Sequence, residues 1–182
     1  MLAHCLTALR LLLVLPTTMA FALPQTFPAW AQLLFMLIAI ATDIADGKVA
    51  RAQGTASATG QLFDHTTDCL FVSSALAGAA YNGMLTPLLP PLVLFAFAQY
   101  VIDSYWLHRR KQLRMSMIGR WNGIFYFVPP LLLASAALIP ASISEMLRQF
   151  AYWIAWVLVV STLISIIDRA LASPSVKSQV QN

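Results

Sequence analysis

An all-α membrane bundle of six spans, with both termini in the cytosol, is the fold this sequence predicts, and three observations predict it. The chain is 59% hydrophobic and 10% charged, well away from the roughly half apolar and quarter charged usage of soluble domains. Its apolar runs are each long enough to cross about 30 Å of hydrocarbon. Its basic residues collect in alternate loops, the arrangement that fixes orientation in a membrane.

The elements follow in order from apolar runs and the residues that interrupt them. A first helix over 5–23 carries Arg10 ahead of the run from Leu11 to Ala22 and stops at Pro24 and Pro28. The run passes through Pro16 with no small-x-small cleavage site, so it reads as a span and not as a removed leader. A second helix covers 29–51. The small residues Gly54-Thr55-Ala56-Ser57-Ala58-Thr59 then allow a tight return into a third helix over 60–81, which ends at Asn82-Gly83. A fourth covers 86–108 and stops at the basic run Arg109 to Arg114. The fifth covers 120–139, bounded by Pro140, Ser142 and Ser144, and the sixth covers 147–169. Residues 1–172 are expected to form one domain, with 173–182 a short polar cytosolic tail.

With the odd-numbered loops outside, every basic residue of the 11 except Arg148 falls on the cytosolic side, and so does the window discussed below. The net charge of +4 sits in short loops beside apolar runs, which suits anionic headgroups or phosphorylated substrates and not nucleic acid. Cys5 and Cys69 have no metal-ligand spacing and are expected as free thiols.

Only seven acidic residues occur in the chain, and Asp43, Asp46, Asp64 and Asp68 share one short window between two apolar stretches. Carboxylates at the edge of a greasy bundle repel one another and resist desolvation, so they call for a neutralising cation. On a helix, Asp43, Asp46, Gly47, Ala50 and Arg51 fall within an arc of roughly 140°, and Gly60, Asp64 and Asp68 within roughly 80°. Both stripes can face one cavity. Hard oxygen donors in that number suit Mg²⁺ or Mn²⁺, two ions per site, and disfavour zinc. Gly47 and Gly60 leave room for close approach, and Arg51 offers a guanidinium suited to a diphosphate. Together these residues fit metal-assisted phosphoryl transfer.

The segment Asp43-Ile44-Ala45-Asp46-Gly47-Lys48-Val49-Ala50-Arg51, followed by Gly60, Asp64 and Asp68, meets every fixed position of D-x2-D-G-x2-A-R-x8-G-x3-D-x3-D. It resembles the signature of the CDP-alcohol phosphatidyltransferases. The resemblance implies that Asp43, Asp46 and Asp64 are metal ligands. It implies that Asp68 joins the second metal or acts as base toward an acceptor hydroxyl, which makes Asp64 and Asp68 the expected catalytic residues. Arg51 would contact the CDP phosphates, while Gly47, Ala50 and Gly60 line the cytidine pocket. The implied partners are a CDP-linked lipid donor such as CDP-diacylglycerol, an alcohol acceptor, membrane lipids and a second copy of the chain. The expected location is the bacterial inner (plasma) membrane, with the site facing the cytosol.

Leu6-Thr7-Ala8-Leu9-Arg10 with Pro16, and Ser116-Met117-Ile118-Gly119-Arg120, are similar to segments of the phosphatidylglycerophosphate synthase branch. That branch typically reads Leu-Asp-Pro-x-Ala-Asp-Lys across the last two aspartates, where this chain has Phe63-Asp64-His65-Thr66-Thr67-Asp68-Cys69. The acceptor is therefore left open. Arg110 and Arg120 stand out among the clustered cations as residues that could bind an acceptor phosphate. His65 reads as an orienting or interfacial histidine, and Asp103 as a membrane carboxylate in need of a partner or a wet cavity. A divalent-cation transporter or channel ringed by the four aspartates is the non-enzymatic alternative, against which Gly47, Arg51 and Gly60 speak.

Overall fold

The computed structural model describes residues 2–52, 58–102 and 117–172, the side chains of 2–4, 47–52, 58 and 59 excepted. Among the described residues the chain is helical throughout: α1 (Leu2–Ala22), α2 (Ala29–Ala52), α3 (Ala58–Tyr81), α4 (Leu89–Ile102), α5 (Met117–Phe125), α6 (Val128–Ala136) and α7 (Ala141–Ala172). The polar tail from 173 lies outside the described residues.

A 3-10 turn at Pro24–Thr26 reverses the chain between α1 and α2, and Gln32 Nε2 donates to the Ala20 carbonyl across it at 2.7 Å. In hydrocarbon, where water cannot satisfy a loose amide, such a bond pins the hairpin. At the end of α3, Gly83 adopts φ +71°. The Gly83 amide donates to Ala80 and the Met84 amide to Ala79, a Schellman closure that favours glycine at the left-handed position.

The centre of the bundle is α3, with α1 along one flank and α4 and α6 on others. Gly78 is where α1 comes closest: a Cβ added there would lie 2.5 Å from the Thr18 carbonyl oxygen and 3.1 Å from Phe21 Cβ. Phe21, Met36, Phe71, Leu76 and Leu89 are fully buried around this contact. Leu12, Leu15, Trp153, Val157 and Leu171 point outward from α1 and α7, a greasy outer surface that lipid accepts and water penalises.

Among the described residues, three helices are long and apolar enough to cross a membrane: Cys5–Ala22, Ala29–Asp46 and Ala141–Leu171. The other predicted spans take different forms for identifiable reasons. On α3 the two aspartates, with His65, Thr66 and Thr67, dilute the hydropathy of an otherwise apolar helix. The described part of the fourth is a shorter apolar helix, Leu89–Ile102. The predicted helix over 120–139 is broken into α5 and α6 at Tyr126 and Phe127. Pro129 and Pro130 lie in the first turn of α6, where a missing N–H costs least. Polar contacts hold the break against α7: the Tyr126 and Thr162 hydroxyls lie 2.7 Å apart, and Ser161 Oγ donates to Asn122 Oδ1 at 2.7 Å.

Candidate active site

Asp43 and Asp46 are one turn apart on α2, and Asp64 and Asp68 one turn apart on α3. Asp43 and Asp46 stand in the later part of α2 and Asp64 and Asp68 in the early part of α3, and all four carboxyls gather in one place. What joins them is Arg10, brought in from α1. Its guanidinium is fully buried, with Nη2 2.8 Å from Asp46 Oδ2. Nη1 lies 3.1 Å from Asp64 Oδ1 and 3.5 Å from Asp43 Oδ1, and it also pairs with Asp68. Thr7, one turn earlier on α1, donates its hydroxyl to Asp46 at 3.4 Å.

The four carboxyls differ in setting. Asp46 is buried, Asp64 and Asp68 are partly covered, and the Asp43 side chain is 45% exposed. The innermost carboxylate is the one held by two donors from α1. The outer ones keep lone pairs free for a ligand.

Carboxylate oxygens of Asp43, Asp46 and Asp64 lie within 4.8 Å of one another, and so do ligand atoms of Asp64, His65 and Asp68. Asp64 belongs to both groups. Hard oxygens at that separation fit Mg²⁺ or Mn²⁺. His65 Nδ1 lies 3.8 Å from Asp64 Oδ2.

A cavity of about 610 Å³ opens from Asp43, His65 and Asp68 into the space between α3, α4, α5, α6 and α7. Its walls are mixed. Val72, Val93, Phe97, Phe127 and Leu131 supply apolar surface, while Arg120, Arg169, Gln99 and Tyr100 supply polar groups. Arg169 sits over the Tyr100 ring with its Cζ 5.1 Å from the centroid, a placement that holds a guanidinium beside a greasy wall. Gln99 is fixed by donation to the Ile166 carbonyl at 3.1 Å.

Of the residues singled out in the sequence, the structure brings together Asp43, Asp46, Asp64 and Asp68, and sets Arg120 on the same cavity as Asp43 and Asp68. Gly60 begins the stripe on α3 that leads to Asp64. Gly47 follows Asp46 directly on α2 and Ala50 and Arg51 lie about one turn beyond it, with their side chains outside the described residues. Arg110 and Asp103 also lie outside the described residues. Cys5 and Cys69 are both free thiols.

Two site residues were not singled out from the sequence. Arg10 was read as one of the cations that set orientation, and the structure shows it buried in ion pairs. Charge balance held the signal, because four carboxylates near a membrane need cations and Arg10 is one turn from Thr7 in an otherwise apolar helix. Arg169 looked like the end of a span, and only the fold brings it across from the aspartates.

A helical bundle with a greasy exterior gathers four carboxylates beside a largely apolar cavity that also holds two arginines. The family model described as CDP-alcohol phosphatidyltransferase matches residues 1–171, and the chain belongs to that enzyme family. Comparison with curated proteins and with solved structures gives no match. Nothing in the fold or the comparisons favours a cation pathway.

Proposed function

We propose that this protein is an integral membrane phosphotransferase that moves a phosphatidyl group from a CDP-activated lipid, such as CDP-diacylglycerol, to an alcohol acceptor and releases CMP. The observation that carries the reading is the convergence of the four signature aspartates on one guanidinium, with Asp43 and Asp68 of the four lining a cavity that has both apolar and cationic walls. The acceptor oxygen bonds to the phosphorus that carries the diacylglycerol, the bond from that phosphorus to the CMP oxygen breaks, and the hydroxyl proton passes to a carboxylate.

Asp43, Asp46 and Asp64 are assigned as ligands of two divalent cations, Mg²⁺ or Mn²⁺. When bound, such ions neutralise a diphosphate and stabilise its leaving group. Asp68 borders the cavity and either completes the second site or accepts the acceptor's proton. Gly47, Ala50, Arg51 and Gly60 are assigned to the CDP moiety by their positions in the signature, and Arg120 to an acceptor phosphate, with Arg110 a second candidate for it. The apolar walls suit the acyl chains, so the lipid need not leave the bilayer to react. The phosphatidylglycerophosphate synthase branch is the nearest likeness by its N-terminal segment, but His65 and Cys69 replace residues typical of that branch, and the acceptor stays undefined.

Six spans with both termini in the cytosol, a bacterial inner membrane location and a homodimer complete the proposal. The orientation is supported by the charge distribution, since Arg120 and Arg169 share a cavity with Asp43 and Asp68 while Arg148 lines another with Gly83; the homodimer rests on the family resemblance.

The test is CMP release from CDP-diacylglycerol by the purified protein in detergent with Mg²⁺ or Mn²⁺, candidate alcohols being supplied in turn. The expected result is CMP formed only with a divalent cation and in proportion to one acceptor. Failure to form CMP with any acceptor would overturn the reading.

A further inference from the structure

The cation at the middle of the aspartate cluster is one the chain supplies itself. Arg10 is fully buried, and its two terminal nitrogens contact carboxylates from both α2 and α3. A buried guanidinium has no reason to leave solvent except for such partners, and the four carboxylates have no other side-chain cation within salt-bridge distance among the described residues, apart from His65 when protonated. A guanidinium and a divalent ion draw on the same carboxylate lone pairs. Each also repels the other at the few ångströms that separate them here.

We propose that Arg10 is the resident counter-cation of the site: a positioning residue that clamps α1 to the carboxylates of α2 and α3, keeps them convergent, and competes with divalent ions for them. The inference rests on the metal-site reading above and extends it. It makes two linked claims. Without ions the clamp contributes to stability, because removing it leaves carboxylates pressed together with no neutralising charge. With ions the same residue works against binding, which keeps affinity moderate so that the ions remain exchangeable. Thr7, which donates to Asp46 beside Arg10, helps hold the guanidinium in register.

The test uses the full-length protein in detergent, as wild type, Arg10→Lys, Arg10→Gln and the double variant Arg10→Gln/Asp68→Asn. Thermal melting in EDTA and Mn²⁺ binding followed by the loss of the free-ion electron paramagnetic resonance signal are measured. Arg10→Gln is expected to melt about 5 °C or more below wild type in EDTA, with much of the gap closing in saturating Mn²⁺. Its Mn²⁺ affinity is expected to rise about tenfold or more. Arg10→Lys retains one charge and is expected between the two. The double variant, which removes one charge of each sign, is expected to recover part of the melting loss; it also keeps the test alive if Arg10→Gln alone does not fold. Equal Mn²⁺ affinity in wild type and Arg10→Gln, or weaker binding in the variant, would overturn the inference while leaving the enzyme reading intact. Absence of Mn²⁺ binding in every variant would overturn the metal-site reading itself.

Discussion

Asp46 and Asp68 illustrate what one residue can and cannot do at the edge of a membrane. Each is a charge that water would hold well and a bundle interior holds poorly, and each is retained beside three others and an arginine. That cost makes sense if the carboxylates bind something during the reaction. Asp64→Asn and Asp68→Asn are therefore expected to lower the rate of CMP release by about 10³-fold. Their helical content and detergent elution profile should match the wild type. Near-normal turnover in either variant would remove that residue from the site. The grouping of the aspartates was legible because four carboxylates among seven acidic residues is a conspicuous imbalance. The role of Arg10 was not, since an arginine near a span end reads the same whether it faces the cytosol or its own protein.

Helices show a similar divide. α1, α2 and α7 stood out from apolar length alone, because each holds a long apolar stretch with few charges. α3 was read correctly as a helix although its hydropathy is diluted by the groups the site requires. The break between α5 and α6 was hidden, because Tyr126 and Phe127 are themselves apolar and the proline pair beyond them can open a helix as well as end one. Only the hydrogen bonds to Ser161 and Thr162 on α7 reveal why the chain stops and restarts there. Close approach of α1 to α3 depends on one position. Gly78→Val is expected to cost about 1–3 kcal/mol, because its first carbon would meet the Thr18 carbonyl at 2.5 Å and a backbone oxygen cannot rotate away. The loss should appear as a lower melting temperature in detergent. Since α1 carries Arg10, Mn²⁺ binding should change with it; an unchanged melting temperature would mean that the α1–α3 contact is looser than described.

At the scale of the whole molecule, the fold serves to bring three helices together at one end while leaving a cavity beside them. α1 brings the cation, α2 and α3 bring the carboxylates, and the packing of α4 to α7 encloses a space with greasy walls and two arginines. The fold class and the grouping of the aspartates could be read from spacing, since both depend on local periodicity. The cavity could not, because Arg120 and Arg169 are far apart in sequence and share its wall only through the packing of α5 and α7.

The central claim is that carboxylates from α2 and α3 form one divalent-cation site, and the most direct measurement is anomalous scattering from crystals of the protein soaked in Mn²⁺. The account predicts anomalous density among Asp43, Asp46, Asp64 and Asp68, with Asp64 contacting both ions when two are present. Density confined to other residues, or aspartates pointing apart with no density between them, would contradict it.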